Sequence, residues 1–295
     1  MKSGQSLAGI GFVILAAACF ASLDTTSKHV SASGFPVLAA LWFRYLIQAL
    51  LTTAMVWPRK GRAVLRTSHP GRQLMRGVLL FGSSVLAFFS LKYLPVGKFT
   101  AIMLLTPLLI TLLAAWMLRE PVRALRWWLV IGGFAGTLII FRPGSHSLGW
   151  VTLLPVGLVA MSAAFQLLTS RMARTESLTT MHFYTGWVGT LLASAALPLV
   201  WQMPGSASLW LQLILMGVLG SIGHALLIKA YMLAPTATLT PYMYSQIGFG
   251  VLGGWLVFGH VPDGWAWAGM GLIALCGVLG AALSLHEHRQ ALRKF

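Results

Sequence analysis

Ser90-Leu91-Lys92-Tyr93-Leu94-Pro95-Val96-Gly97-Lys98-Phe99-Thr100-Ala101 and Lys229-Ala230-Tyr231-Met232-Leu233-Ala234-Pro235-Thr236-Ala237-Thr238-Leu239-Thr240 read as the same short turn between two apolar runs. The stretches lie 139 residues apart, share Leu94 and Leu233, and carry a proline within one position of each other. At the same offset Trp116 meets Trp255, and a little further on Arg119-Glu120-Pro121 falls opposite Gly259-His260-Val261. Gly136 corresponds to Gly277 at an offset of 141. The chain therefore reads as a weak internal duplication.

The surrounding composition says what is duplicated. Of 295 residues, 57% are hydrophobic and 9% charged, against roughly 25% charged in soluble domains. A mean hydropathy of +0.80 leaves more apolar surface than one soluble core of this size can bury. Apolar runs cover about 6–30, 36–57, 73–93, 96–118, 123–141, 149–170, 180–201, 208–232, 236–258 and 264–285. Each is close to the roughly 20 residues that a helix needs to cross a bilayer. Pro36, Pro58, Pro70, Pro95, Pro121, Pro143, Pro204, Pro235 and Pro262 fall near the inferred turns, whereas Pro107, Pro155, Pro198 and Pro241 lie within spans, where membrane helices tolerate them. The expected fold class is an all-α membrane protein of ten transmembrane helices. Five spans per copy is an odd number, so the copies enter the bilayer from opposite sides as two inverted five-helix repeats. Such repeats place a substrate site at their interface near the midplane and support alternating access. The expected domains are residues 6–141, residues 149–285, and a cytoplasmic tail, 286–295.

Charge sets the orientation. With the amino terminus inside, fifteen Lys and Arg fall in the inner segments, chiefly 58–76, 119–126 and 171–174, and four fall outside. That bias places both termini in the cytoplasm of a cell inner membrane. The net charge of +16 is accordingly read as contact with anionic headgroups rather than nucleic acid. Cys19 and Cys276 both lie in apolar runs, so no disulfide framework is expected. Trp127, Trp128, Trp150, Trp210, Trp265 and Trp267 sit near span ends as interfacial anchors. Gly132-x3-Gly136 and Gly250-x3-Gly254 are spacings for close helix packing, compatible with a monomer or a weak homodimer.

Ionisable groups within spans are functional candidates because they are costly in lipid. Asp24 lies about 9 Å and Arg44 about 12 Å from the outer side at 1.5 Å per residue, so an ion pair between spans one and two is expected, with Lys28 a competing partner for Asp24. Two roles are open, helix orientation and gating or proton coupling. Lys229, three residues from its span end, is expected to snorkel. The ninth span presents Thr238, Tyr242, Ser245, Gln246 and Phe249 on one face, and the eighth Gly217, Ser221, His224 and Tyr231. The fourth offers the more apolar Phe99, Met103, Thr106 and Ile110, and Gln48 and Gln166 are further mid-membrane donors. Either a neutral, aromatic-lined cavity suited to amphiphilic zwitterions or mutual helix–helix hydrogen bonding accounts for these groups. As a cavity, the binding set is His224, Tyr242, Gln246, Ser221, Ser245 and Gln166.

Enzyme chemistry has no motif to stand on. The chain has no phosphate-binding glycine loop ending in Lys-Ser/Thr. His286-Glu287-His288 lacks zinc-protease spacing, and one deep acid cannot make an aspartyl dyad. No ring of repeated polar groups marks a channel. No cofactor is expected.

The two five-span halves, Pro107 in the fourth span and the Glu120 turn before a glycine-bearing fifth resemble the EamA-type drug/metabolite transporter superfamily. Phe258-Gly259-His260-Val261-Pro262, with Gly269 nine residues after His260, is similar to the same turn with His in place of Glu. The resemblance covers roughly 9–141 and 150–283. It implies a secondary transporter whose cavity is lined by spans three, four, eight and nine with one and six. It also points to the YddG-like exporters, hence to export of amino acids or similar small metabolites. A cysteine placed at Ser68, in the most basic connection, is expected to react with impermeant thiol reagents in inside-out vesicles only. Labelling in intact cells reverses the orientation.

Overall fold

The computed structural model describes residues 3–94, 96–103, 105, 106, 108–110, 113, 124–141, 153–234 and 236–292. Pro95, Pro107, Trp116, Glu120, Pro143, Trp150 and Pro235 lie outside the described residues, as does most of the fourth expected span beyond Met103. Every described element is helical.

The helices follow the apolar runs, and their ends follow local chemistry. Helix α1 (Ser3–Ala32) turns at Gly34, whose φ of 81° is the left-handed conformation glycine adopts freely, into α2 (Val37–Lys60). A 3-10 turn (Gly61–Leu65) leads to α3 (Pro70–Tyr93), which opens on a proline whose missing N–H costs nothing there. α4 covers Val96–Met103, α5 Ala124–Phe141 and α6 Leu153–Met172. α7 (Leu178–Val200) and α8 (Ala207–Leu233) are each capped by serine: Ser177 Oγ accepts from Thr180 N and Ser206 Oγ from Leu209 N. α9 (Ser245–Phe258) ends at Gly259, φ 65°, with Gly259 N bonded to Trp255 O and His260 N to Gly254 O, a left-handed glycine close. α10 (Gly264–Leu292) starts where Asp263 Oδ1 accepts from Ala266 N.

One departure from the sequence reading matters. The ninth span is interrupted: a helical turn Thr236–Leu239 gives way to a 3-10 segment, Thr240–Tyr244, before α9. Pro241 carries no N–H and cannot continue an α-helical ladder, so Thr238 and Tyr242 are not in the α-helical register of Ser245, Gln246 and Phe249. The expected tail 286–295 is the end of α10 as far as Leu292. Six helices, α1, α2, α3, α6, α7 and α8, are long and apolar enough to cross a membrane among the described residues. At about 45 Å, the 30-residue α1 exceeds a hydrocarbon core of about 30 Å.

Packing is close where side chains are small. α1 lies along α8 and α9, α2 along α7 and α8, α3 along α6 and α7, α4 on α9, and α5 on α10. A Cβ at Gly186 would meet the Ala49 backbone at 3.0 Å, and Gly189 lies against the Tyr45 ring. Gly132 and Gly136 seat α5 on Cys276, Ile273 and Gly269 of α10, so that spacing is used within the chain. The core gathers Leu41, Tyr45, Phe88, Leu213 and Met216, whereas Leu7, Trp128, Leu199, Leu211 and Trp265 point outward. Apolar side chains outside as well as inside are what a hydrocarbon solvent requires. Trp128, Trp265 and Trp267 are exposed as interfacial anchors should be, but Trp210 packs edge-on to Phe43 at 5.3 Å.

The basic connections meet at one end. Glu176 Oε1 accepts from Thr67 Oγ1 (2.7 Å) and Ser68 N (2.9 Å), Tyr184 Oη donates to Leu65 O, and Lys60 Nζ donates to Thr179 Oγ1. Lys28 reaches away from Asp24: its Nζ donates to Leu91 O and Leu94 O, each at 2.8 Å. There it neutralises the carbonyl end of α3, a favourable site for a cation. Lys229 is exposed.

Gly186→Leu is expected to force α2 from α7 and cost about 1–3 kcal/mol of overpacking, read as a lower melting temperature of the purified protein. Gly71→Ala, at a position with nothing within 4 Å of its Cβ, should leave that temperature unchanged.

Candidate functional site

A cavity of about 120 Å3 opens where α1, α2, α3, α4, α6, α8 and α9 converge. Its polar atoms come from Asp24, Arg44, Ser83, Ser84, Ser162, Gln166, His224 and Gln246, and its walls include Phe20, Phe99, Phe165, Met103 and Met243. The helices implied by the family resemblance all contribute, and α2 adds Arg44.

The acid and the base are each held by neutral groups. Gln246 Nε2 donates to Asp24 Oδ2 at 3.3 Å, tying α9 to α1. Arg44 Nη1 donates to Ser84 Oγ at 3.1 Å, and its guanidinium lies 5.2 Å from the Tyr45 ring centroid. Ser84 gives its own proton to Leu80 O (2.8 Å), so Tyr45 must be the donor in the 2.7 Å Tyr45–Ser84 contact. Gly220 leaves room for this: its Cβ would stand 3.1 Å from Arg44 Nε, which has no partner. The contacts of Asp24 and Arg44 are thus to Gln246 and Ser84 rather than to one another. An acid and a guanidinium share one cavity, each bonded to a neutral neighbour.

Of the other expected residues, His224 and Gln166 are in the cavity. The His224 ring stands 4.9 Å from Phe20 and 5.7 Å from Phe165, and its Nδ1 has no partner. Tyr231 donates to Gln166 Oε1 at 2.9 Å, which leaves the amide nitrogen as the donor end for a ligand. Ser221, Ser245 and Tyr242 are not on its wall. Ser221 Oγ bonds His182 Nε2 at 3.0 Å. Ser245 turns back to Tyr242 O at 2.7 Å. Tyr242 packs among Val13, Ala16 and Leu227 between α1 and α8. The 3-10 break explains Tyr242, which it takes out of the register of Gln246; Ser245, one residue before Gln246 in the same helix, stands about 100° round the axis from it.

Sequence reading missed the second layer. Arg76, counted as an inner-loop cation, is fully buried. It donates from Nε to Thr169 Oγ1 (2.9 Å) and from Nη1 to Met181 O (2.9 Å) and Gln73 Oε1 (3.2 Å). It also lies 5.3 Å from the ring of Phe165, a cavity wall. The signal was its position: Arg76 follows Pro70 by six residues, more than a turn inside α3. Ser83, Ser84 and Ser162 carried no such signal, because serine is common in membrane helices.

Gln246→Leu strips Asp24 of its donor, and His224→Leu removes a ring and a polar atom from the wall. A lost hydrogen bond in such a site costs about 1–3 kcal/mol, so each is expected to raise the half-saturation concentration about five- to 150-fold. Tyr242→Phe and Ser245→Ala, outside the cavity, should leave it unchanged in the same transport assay.

The comparisons agree with this architecture. The model of the EamA-like transporter family matches residues 7–142. The riboflavin transporter of Vibrio cholerae serotype O1 is 30% identical over 272 residues, 91% of each chain. The S-adenosylmethionine uptake transporter of Rickettsia conorii is 26% identical over 257 residues, 87% of this chain and 86% of its own. A solved crystal structure shares the fold at a TM-score of 0.69 and 20% identity, covering 99% of both chains. This multi-pass membrane protein belongs to the EamA-like transporter family.

Proposed function

We propose that the chain is a secondary transporter of the bacterial inner membrane for a small amphiphilic metabolite bearing a flat heteroaromatic ring, with riboflavin the first substrate to test. The observation that carries the reading is the cavity wall. Phe20, Phe99 and Phe165 offer faces and edges for a ring, and Gln166, His224 and Gln246 offer hydrogen bonds at its margin. The relatives named for riboflavin and S-adenosylmethionine support a ring-bearing substrate. Asp24 and Arg44 are the gating or coupling pair, because a charged or protonated substrate group can displace the bonds to Gln246 and Ser84.

The transport cycle is alternating access between inverted halves, 6–141 and 149–285. Its support is the pattern of helix partners. Exchanging each helix with the one five places on turns α1·α8 into α6·α3 and α2·α8 into α7·α3, and all four contacts occur. The pairs α2·α7, α4·α9 and α5·α10 map onto themselves. A cavity of about 120 Å3 is smaller than the roughly 300–1,000 Å3 that encloses a drug-sized ligand. Helices must therefore part to admit a flavin.

A second reading has its own observation. An acid and a guanidinium in one cavity, each held by a neutral neighbour, match the two ends of a zwitterion, as in amino-acid export. Proteoliposomes loaded or bathed with labelled riboflavin, S-adenosylmethionine and a panel of amino acids separate the two. Saturable riboflavin movement is expected, weakened by His224→Leu. Movement of amino acids without riboflavin overturns the ring-bearing reading in favour of the second.

A further inference from the structure

Away from the cavity, a groove of about 410 Å3 lies between α2 and α7, lined by Thr53, Ala54, Trp57, Pro58, Phe183 and Trp187. Its walls are apolar. The one indole N–H tied down, Trp187 Nε1, donates to Thr53 Oγ1 at 3.0 Å, so Trp187 presents its ring rather than a polar edge. Around it Leu50, Met55 and Leu191 point outward, which makes this a lipid-facing crevice. Pro58 has no N–H to give Ala54 O, so the groove contains a backbone acceptor without its helical donor.

One end of the groove is cationic. Helical spacing carries the Thr53–Trp57 face of α2 to Lys60, and the Trp187–Phe183 face of α7 to Thr179. These two terminal residues meet, with Lys60 Nζ donating to Thr179 Oγ1 at 2.8 Å. Arg59, Arg62 and Arg66 are exposed beside them. The acid of this region, Glu176, is buried and bonded to Thr67 and Ser68, so it faces the connection.

We infer that this groove is a binding site for an anionic phospholipid, one acyl chain lying between Trp57 and Trp187 and the phosphate meeting Lys60, with Arg59 and Arg62 alongside. Charge complementarity selects the occupant. An apolar slot open to the bilayer and closed at one end by cations fits a lipid with a negative headgroup, and a free phosphate would leave the slot empty. A bound lipid here would bridge α2 and α7, the helices that carry Arg44 and His182.

The test uses the delipidated full-length protein in detergent, titrated with phosphatidylglycerol or phosphatidylcholine, the retained lipids being counted by native mass spectrometry. Phosphatidylglycerol is expected to be retained at the lower concentration. Lys60→Gln should weaken that retention about fivefold, the equivalent of the roughly 1 kcal/mol that one basic side chain contributes at an anionic surface. Ala54→Trp, at an exposed position, should fill the slot and remove one lipid. Equal retention of the two lipids by the unmodified protein overturns the proposal. So does an unchanged count in Ala54→Trp, or displacement of the lipid by inorganic phosphate.

Discussion

In hydrocarbon a bare backbone N–H or C=O is costly, and three of the described helix ends and breaks show the group that answers them. Where α3 ends, the carbonyls of Leu91 and Leu94 receive Lys28 from α1. Where α9 ends, Gly259 folds the chain back so that two amides meet the last carbonyls. Where Pro241 breaks the ninth span, a 3-10 turn keeps the backbone bonded and redirects the side chains. That redirection decides the site, because it sends Gln246 to Asp24 while Tyr242 packs against α1 and α8.

The second constraint is solvation of charge. Arg44 and Arg76 both stand in the interior without a carboxylate in contact among the described residues, and each is satisfied only in part, Arg44 Nε and Arg76 Nη2 having no partner. Arg44 uses Ser84 and the face of Tyr45, and Arg76 uses Thr169, Gln73 and the Met181 carbonyl. Their consequences differ. Arg76 is fixed on several sides and holds α3, α6 and α7 together beneath Phe165, a scaffold for the cavity wall. Arg44 lines the cavity. Asp24 lines the same cavity and accepts from Gln246. Breaking a buried charge from its partners is expensive.

Small residues make this convergence possible. Gly217, Gly220 and Gly223 form a stripe on α8 against Ile47, Arg44 and Phe20, which lets α1 and α2 approach closely enough for His224 to stack on Phe20. Gly186 and Gly189 do the same for α2 on α7. The apolar exterior then contributes little to specificity, since lipid tails are as apolar as leucine. Close van der Waals contact and the buried polar bonds distinguish one helix arrangement from another.

In the sequence by itself, hydropathy gave the class and the positions of the long helices, and the family resemblance named the cavity's helices except α2. Hydropathy has a period and a length that survive without knowledge of neighbours, so six of the expected spans match α1, α2, α3, α6, α7 and α8 within a few residues. Asp24, Arg44, Gln166, His224 and Gln246 were legible because a polar group deep in an apolar run is costly and therefore meaningful. Helical periodicity misled at Tyr242, since it assumes an unbroken helix. It was also silent on Arg76, whose burial depends on which helices close over it. Only the tertiary structure decided that Asp24 meets Gln246, that Lys28 caps α3, and that Ser84 answers Arg44. Partners lie 40 to 222 residues apart in these contacts, and hydrogen bonds are chosen by distance in space, to which spacing along the chain is no guide.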